Sequence, residues 1–157
     1  MNGSNIKLKY LTSNDIDKLI EFERQARLTE PEIWLDDYDE DNYRYKLKKA
    51  NLDKMENNKI IIAMEKDNTV GRCDISIIIS TVDFEKTGYI DWIYTLKNNR
   101  GMGIGKKLFS KAEEYFKENG VTGYYLFTAE NEQDKEFYYR QKDFKFSKKE
   151  IAEKKFK

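Results

Sequence analysis

A glycine-rich turn is the feature that most restricts how this chain can fold. It runs Arg100-Gly101-Met102-Gly103-Ile104-Gly105, and it joins a β-rich segment to one whose apolar residues recur at helical spacing. A helix that begins among glycines exposes its first backbone N–H groups at the positive end of the helix dipole. The turn therefore predicts a binding site for a phosphate or pyrophosphate group.

The spacing of the glycines excludes two common phosphate loops. A dinucleotide-binding loop needs Gly-x-Gly-x-x-Gly, but counting from Gly101 the third glycine position is occupied by Lys106. A Walker loop needs a glycine five residues before a Gly-Lys-Ser or Gly-Lys-Thr triplet. Here Arg100 lies five residues before Gly105, and Lys107 takes the Ser or Thr position. The pattern that remains is Arg-x-x-Gly-x-Gly.

This pattern, at Arg100, Gly103 and Gly105, resembles the acetyl-CoA pyrophosphate loop of the GNAT superfamily of N-acetyltransferases. A second segment extends the resemblance, because a later helix of the family carries Asn-x-x-Ala-x-x-Phe-Tyr and, five residues past the tyrosine, Gly-Phe. The chain matches at Asn131, Phe137, Tyr138 and Phe144, whereas Asp134 and Asp143 replace the alanine and the glycine. The resemblance covers about residues 55–147 well and the first 50 residues only by pattern.

The resemblance implies an α/β (α+β) fold of the GNAT type, a mixed central sheet flanked by helices, and a single domain over residues 1–157. Residue patterns agree with that order of elements. They predict strands over residues 6–10, 59–64, 70–80, 88–96, 121–128, 144–146 and 151–156. They predict helices from Thr12 or Ser13 to Ala26, and over residues 43–55, 104–118 and 132–141.

The composition narrows the class of protein. Hydrophobic residues make up 39% and charged residues 37% of the 157 residues, the balance of one soluble globular domain. Lysine plus arginine equals aspartate plus glutamate at 29 each, so the net charge gives no reason to expect nucleic acid or an acidic membrane as a partner. Without a signal-peptide pattern or an apolar run of membrane-spanning length, we expect a cytoplasmic protein. The sequence leaves open whether it forms a homodimer.

Two residue types are absent or nearly so. There is no histidine, and Cys73 is the only cysteine. This excludes His-dependent triads, His metal sites, disulfides within the chain and multi-cysteine zinc sites. Proton transfer is left to carboxylates, tyrosine, lysine or water. We expect no metal and, from the resemblance, acetyl-CoA as the co-substrate.

For the cofactor side, the resemblance implies that the strand before the turn holds the pantetheine arm of CoA through its backbone. Asn131 can bind the pantetheine, cap its helix, or do both. The implied cofactor-binding set is Ile93, Tyr94 and Thr95 of the strand, Arg100, Gly101, Met102, Gly103, Ile104, Gly105 and Lys106 of the turn, and Asn131 and Tyr138 of the later helix.

Two residues are candidates for proton transfer. Many family members have a glutamate four residues before the position of Thr95, which takes a proton from the acceptor amine directly or through water. Here that position is Asp91, which can alternatively be a solvated residue near a strand start. The family's tyrosine near the thioester sulfur corresponds to Tyr138, and a phenol with a pKa of about 10 can protonate a thiolate with a pKa of about 8.5. Simple packing of an aromatic ring is the alternative for Tyr138.

The acceptor side is predicted from a strongly acidic segment. Residues 30–41 contain seven acidic residues and no basic one. In the family this region borders the acceptor cleft, and carboxylates with aromatic rings suit a cation such as a polyamine, an aminoglycoside or a basic peptide. A solvated acidic loop is the alternative. The predicted acceptor-binding residues are Trp34, Asp36, Asp37 and Tyr38.

Together these features predict an enzyme of the GNAT type, which transfers an acetyl group from acetyl-CoA to a primary amine of a small cationic molecule or a peptide. The amine attacks directly in a ternary complex, because binding both substrates together supplies orientation. Two alternatives remain. One is a degenerate domain that binds acyl-CoA as a sensor without turnover, and the other is a peptide or protein N-terminal acetyltransferase.

Overall fold

The computed structural model describes residues 5–34, 36–128 and 132–156, and residues 132–134 by their backbone only. These residues form two compact units, residues 5–126 and residues 127–156. The first unit contains a five-stranded sheet and helices α1 (Ile16–Thr29), α2 (Glu40–Lys49) and α3 (Ile104–Glu118). The second contains helix α4 (Glu132–Tyr139). No helix in the described ranges is both long and apolar enough to cross a membrane.

The order of strands in the sheet follows the order of the chain. The strands are β1 (Ile6–Tyr10), β2 (Asn58–Glu65), β3 (Asn68–Ile79), β4 (Lys86–Thr95) and β5 (Tyr124–Tyr125). Neighbouring strands from β1 to β4 pair antiparallel, and β5 pairs parallel with β4. The predicted mixed sheet is confirmed.

Helices α1 and α3 cover opposite faces of the sheet, since adjacent side chains of a strand point to opposite faces. On β3, a side chain at Gly71 would contact Ile104 and Leu108 of α3. The next residue, Arg72, instead contacts Glu23 of α1. The buried apolar faces of the two helices enclose the core; they comprise Ile16, Leu19, Ile20, Phe22 and Ala26 of α1 and Ile104, Leu108, Phe109, Ala112 and Phe116 of α3.

Strand β4 contains a bulge at Asp91. Asp74 of β3 pairs with Trp92, and the next residue along β3, Ile75, pairs with Ile90, so Asp91 is the extra residue in the ladder. Regular alternation along β4 would place the even-numbered residues on one face of the sheet. The bulge shifts this alternation by one position.

Contacts on either side of the bulge show the shift. Before the bulge, Gly88 lies directly against the ring of Phe116 on α3. After it, Tyr94 packs against Phe22 of α1, with ring centroids 6.0 Å apart. The C-terminal half of β4 therefore turns its aromatic side chains toward α1, and the cavity described below is built on that face.

Capping residues explain where the first two helices begin. Thr12 donates from its backbone N and its Oγ1 to the Asp15 carboxylate at 3.0 and 2.8 Å, in a short 3₁₀ turn that leads into α1. The Asp39 carboxylate accepts the N–H of Asn42 at 2.9 Å, so α2 begins three residues earlier than predicted. The predicted helix is also too long, because Leu52–Lys54 forms a separate 3₁₀ turn.

The predicted strand over residues 121–128 is wrong in its extent. Gly120 has a φ of 74°, and the N–H groups of Gly120 and Val121 donate to the carbonyls of Lys117 and Phe116 at 3.2 and 2.9 Å. These contacts form the C-terminal cap of α3. Val121, whose apolar side chain suggested the start of a strand, belongs to this cap. Within residues 121–128, only the two residues of β5 then pair with β4.

The predicted strands over residues 144–146 and 151–156 are also wrong, because neither range forms a strand. In the first range, the ring of Phe146 lies 4.6 Å from that of Tyr139, so this aromatic residue packs onto the end of α4. In the second range, Ile151 and Phe156 are exposed, and its few apolar side chains bury too little surface to hold a strand.

Gly88 allows a test of the packing between β4 and α3. A Cβ at this position would lie 2.8 Å from ring carbons of Phe116, well inside van der Waals contact. We expect Gly88→Ala to lower the free energy of unfolding by about 1–3 kcal/mol, the usual range for overpacking. Urea unfolding followed by circular dichroism measures the change.

Gly123→Ala is the matched control for this variant. The Gly123 carbonyl accepts the N–H of Gly88 at 2.9 Å, yet a Cβ on Gly123 would meet no atom within 4 Å. We expect a change within about 0.5 kcal/mol for this control. Equal losses in the two variants would show that the contact with Phe116 is not the constraint.

Candidate functional site

The glycine-rich turn leads into α3 through left-handed backbone. Gly101 and Gly103 have φ angles of 82° and 76°, which residues with a side chain rarely adopt. A Cβ at either position would meet no atom within 4 Å, so backbone conformation and not crowding requires glycine. Helix α3 begins at Ile104 without a side-chain cap from a described residue and without an acidic residue in its first turn. Its first N–H groups therefore form a candidate site for an anionic group.

The other predicted residues of the turn are divided between the core and the surface. The Ile104 side chain is buried, and its Cγ2 lies 3.0 Å from where a Cβ on Gly71 would be, so it anchors the start of α3 to the sheet. Only the backbone of Ile104 can then contact a ligand. Met102 and Lys106 are exposed, and Gly105 lies in the first turn of the helix.

Arg100 pairs with a carboxylate of the chain itself. Its Nη1 and Nη2 donate to Glu30 at 3.2 and 2.5 Å, and its Nε donates to the carbonyl of Thr95 at 3.2 Å. The Tyr94 hydroxyl donates to the same Glu30 carboxylate at 2.6 Å. Burial acts to raise the pKa of Glu30, but these hydrogen bonds outweigh burial and hold the pKa below its ordinary value. Glu30 therefore ties the turn and β4 to the end of α1.

The C-terminal half of β4 has an outer edge that no strand covers in the described part of the first unit. Strand β5 pairs only with Gly88 and Tyr89. Ile93, Tyr94 and Thr95 lie beyond that pairing and just before the turn. In an antiparallel pair, part of the N–H and C=O groups of each strand point away from the partner strand. The predicted pantetheine contacts fall on this edge.

The two predicted proton-transfer residues lie in different units. Asp91 is exposed on the bulge and does not line the cavity described next. Its carboxylate raises the pKa of the Tyr89 hydroxyl, in addition to the larger effect of burial. Tyr138 is buried in the second unit, and its ring centroid lies 5.5 Å from that of Phe137. Asn131 lies outside the described residues.

A cavity of about 400 Å³ lies between α1, the segment that follows it, and strands β3 and β4. This volume is within the range of small-molecule sites. Of the four predicted acceptor-binding residues, Trp34, Asp36 and Tyr38 line the cavity, whereas Asp37 does not. The lining is completed by Glu23, Arg27, Ile33, Tyr43, Arg72, Asp74 and Trp92.

Two tryptophans meet at this cavity because of the bulge in β4. The ring centroids of Trp34 and Trp92 are 5.3 Å apart. Tyr94, which follows Trp92 on the same face of the strand, lies 5.2 Å from Trp34 and stacks on Trp92 at 6.4 Å with an interplanar angle of 10°. The sequence did not predict a site role for Trp92, since regular alternation gave no reason to place it beside the acidic segment.

Arg27 occupies the aromatic and acidic surface that the sequence predicts for a cation. Its guanidinium carbon lies 4.7 Å from the ring centroid of Trp34 and 3.8 Å from that of Tyr38. Two of its nitrogens donate to the Asp36 carboxylate at 2.8 and 3.1 Å. Burial acts to lower the pKa of Arg27, but Asp36 outweighs burial and raises that pKa. Burial and the carboxylates of Glu23 and Glu40 raise the pKa of Tyr38 to about 12.

Arg72 is a second arginine of the cavity, and it is almost completely buried. It donates to Glu23 at 2.5 Å and to Asp74 at 3.0 and 2.7 Å. Burial opposes its charged form, but the two carboxylates hold the pKa of Arg72 above its ordinary value. The sequence did not predict this cluster, because Glu23 lies 49 residues from Arg72.

The acidic segment is partly neutralised within the chain. Among the described residues, four of its seven carboxylates have partners: Glu30 with Arg100, Asp36 with Arg27, Asp39 with the N–H of Asn42, and Glu40 with Arg24. Three carboxylates and two guanidiniums line the cavity, a formal balance of −1. Mutual repulsion therefore does not by itself require a bound cation, although the remaining negative charge favours one.

The bulged strand, the glycine-rich turn and the helix after it have the order that the resemblance to the GNAT type predicts. The model of the acetyltransferase (GNAT) family matches residues 19–144, which is most of the chain. The chain therefore belongs to this family of N-acetyltransferase enzymes. A comparison with curated protein sequences gives no significant match.

Solved structures of several acetyltransferases share the fold over nearly the whole chain. An aminoglycoside acetyltransferase from an uncultured soil metagenomic sample, in complex with sisomicin, has a TM-score of 0.77 at 18% identity, over 97% of each chain. A ribosomal-protein-alanine N-acetyltransferase from Brucella melitensis biovar Abortus 2308 has a TM-score of 0.73 at 17% identity, over 95% of this chain and 99% of the other. Glucosamine-6-phosphate N-acetyltransferase from Arabidopsis thaliana has a TM-score of 0.71 at 18% identity, over 97% and 98%. The predicted fold class is confirmed.

Glu30→Gln tests the link between the turn and α1. Because Arg100 is 44% exposed, we expect the variant to lose about 1–2 kcal/mol of unfolding free energy at pH 7, toward the lower end for hydrogen bonds to charged groups. The folded pKa of Glu30 lies below its ordinary value of 4.5. The stabilisation is thus fully present above that ordinary value and is lost as the pH falls through the lowered pKa. Urea unfolding at neutral and acid pH measures both effects.

Glu32→Gln is the control, because Glu32 is exposed in the short turn that follows Glu30. We expect this control to match the wild type at both pH values within about 0.5 kcal/mol. A difference between Glu30→Gln and wild type that stays constant into the acid range would contradict the assigned ionisation of Glu30.

Proposed function

We propose that this chain transfers the acetyl group of acetyl-CoA to a primary amine of a small cationic molecule or a peptide. The observation that carries the proposal is the glycine-built start of α3 next to the C-terminal half of β4; among the described residues of the first unit, no side chain caps the helix and no strand covers that edge. The first would supply N–H groups for the pyrophosphate and the second would supply backbone groups for the pantetheine arm. The named neighbours act on small molecules in two cases and on a protein alanine in one, which supports either kind of acceptor.

The remaining phosphate charge of CoA would be met by lysines beside the turn. Lys106, Lys107 and Lys111 line a shallow cavity of about 270 Å³ on the first turns of α3, together with Leu8, Ser110 and Glu114. Arg100 is paired with Glu30, so we assign it to holding the turn in shape. The family match continues through residue 144 and thus includes residues of both compact units, which supports one functional domain over residues 1–157.

In the proposed reaction, the amine nitrogen bonds to the acetyl carbon and the carbon–sulfur bond breaks. The nitrogen loses a proton and the CoA sulfur gains one, so no covalent enzyme intermediate is required. Asp91 would accept the proton from the amine, directly or through water, and Tyr138 would protonate the departing thiolate. Backbone N–H groups at the edge of β4 would stabilise the negative charge that develops on the thioester oxygen.

Gly103→Ala tests the pyrophosphate site. An L-residue in the left-handed region costs about 1–2 kcal/mol, so the turn should change shape and the N–H groups at the start of α3 should lose their arrangement. We expect KM for acetyl-CoA to rise at least 10-fold, roughly the loss of one good anion contact. Calorimetry measures binding of acetyl-CoA, and release of the CoA thiol measures turnover.

Gly120→Ala is the matched control because it carries the same backbone strain at the other end of α3. Its φ is 74°, and a Cβ there would also meet no atom within 4 Å. Both variants should lose similar unfolding free energy, but only Gly103→Ala should lose acetyl-CoA affinity. Unchanged affinity in folded Gly103→Ala would remove the turn from the cofactor site.

Tyr138→Phe tests the proposed general acid by removing only the hydroxyl. We expect kcat to fall about 10- to 1,000-fold with little change in acetyl-CoA affinity, as general acid catalysis predicts. Tyr139→Phe is the control, because Tyr139 is its exposed neighbour on α4. A wild-type kcat in Tyr138→Phe would assign Tyr138 to packing. Binding of acetyl-CoA without thiol release for any amine in a broad panel would favour the sensor alternative.

A further inference from the structure

Buried polar atoms without hydrogen-bond partners gather in the 400 Å³ cavity beside α1. Of the six such side-chain atoms in the described residues, four belong to its lining: Arg27 Nε, Trp34 Nε1, Tyr38 Oη and Trp92 Nε1. Arg27 Nε has only a long ion-pair contact, 3.5 Å from the Glu23 carboxylate. An unpartnered buried polar group is destabilising, because it has given up its hydrogen bonds to water without replacing them. Their concentration around one cavity is unusual, and because protein atoms cover each of them, a ligand can supply the missing partners only where side chains of the lining move as it binds.

These unpartnered atoms are hydrogen-bond donors. An indole N–H and a guanidinium N–H can only donate, and a tyrosine hydroxyl can donate or accept. An ammonium group has three donors and no acceptor, so it cannot satisfy Trp34, Trp92 or Arg27. The ligand must instead bring acceptor atoms, such as hydroxyl, ether or carbonyl oxygens.

The positions in this cavity that suit a cation are already filled by the chain. The guanidinium of Arg27 lies over the rings of Trp34 and Tyr38 and pairs with Asp36. Arg72 takes the carboxylates of Glu23 and Asp74. A polyamine entering the cavity would have to compete with these two arginines while leaving the indole donors without partners.

We propose that this cavity binds the oxygen-bearing body of the acceptor, and that the acceptor is a primary amine on a hydroxylated ring, the chemistry of an amino sugar. A ring has apolar C–H faces for the tryptophan walls and polar hydroxyls at its edge for the N–H donors. Acetylation of its amine rests on the proposed function, whereas binding of its oxygens rests on the cavity alone. A bare polyamine is thereby disfavoured.

Tryptophan fluorescence reports on this cavity without interference. The sequence contains two tryptophans, Trp34 and Trp92, and both line the cavity. Glucosamine and cyclohexylamine are matched probes, because both carry a primary amine on a six-membered ring and only glucosamine carries oxygens. We expect a saturable fluorescence change with glucosamine and an affinity at least 10-fold lower for cyclohexylamine and for spermidine. Titrations are made with the protein alone and with saturating CoA, so that binding is also detected when the amine binds only after CoA.

Two variants assign the donors individually. Trp34→Phe and Trp92→Phe each remove one indole N–H, keep an aromatic ring and leave the other tryptophan as the reporter. We expect each to weaken glucosamine binding about 2- to 10-fold, the effect of one hydrogen bond, and to leave cyclohexylamine binding unchanged. Tyr45→Phe is the control, because Tyr45 is exposed on α2 and outside the cavity lining.

The outcomes separate this proposal from the proposed function. Equal binding of glucosamine and cyclohexylamine, no saturable change with glucosamine in either titration, or unaltered glucosamine affinity in both tryptophan variants overturns the oxygen-binding site. Thiol release with spermidine but not with glucosamine also overturns it, while supporting acetyl transfer. Glucosamine binding with the expected losses, but without acetyl-CoA binding or thiol release, supports the site and overturns the proposed function.

Discussion

The extra residue in β4 is the constraint on which the rest of the site depends. A ladder shifted by one residue moves every side chain beyond it to the other face of the sheet. Because Asp91 takes up that shift, Gly88 can lie against Phe116 of α3 while Trp92 and Tyr94 reach the face covered by α1. The bulge also lies where β5 stops pairing with β4. One residue thus orients the aromatic wall, and it lies beside the part of β4 that no strand covers in the described part of the first unit.

Two arginines determine the net charge of the cavity beside the aromatic side chains. Arg72 supplies a partner for the buried carboxylate of Glu23 and for Asp74, and Arg27 pairs with the exposed carboxylate of Asp36. The negative surface that the acidic segment suggests is thereby reduced to a nearly balanced network. The indole N–H groups of Trp34 and Trp92 remain without hydrogen-bond acceptors. The expected ligand is therefore a molecule with oxygen atoms and not a simple cation.

Features that depend on a few neighbouring residues could be predicted from the sequence. The glycine-rich turn that leads into a helix and the apolar face of α3 were predicted because turn composition and helical spacing act locally. The pairing of Glu30 with Arg100, 70 residues away, could not be predicted, because it arises only when distant segments pack. Local reasoning also failed at Val121, whose apolar side chain and N–H serve the cap of α3 instead of a strand.

The complete absence of histidine means that no side chain of this protein has an ordinary pKa in the interval where most cells hold their pH. Around the cavity, the pKa values of Glu30 and Asp36 are lowered and those of Tyr38 and Tyr94 are raised, so these four groups ionise still further from neutral pH. The charges of the side chains around the cavity therefore change little near neutral pH. Only the uncharged form of an amine is nucleophilic, so acidity would govern the reaction through the basicity of the substrate itself.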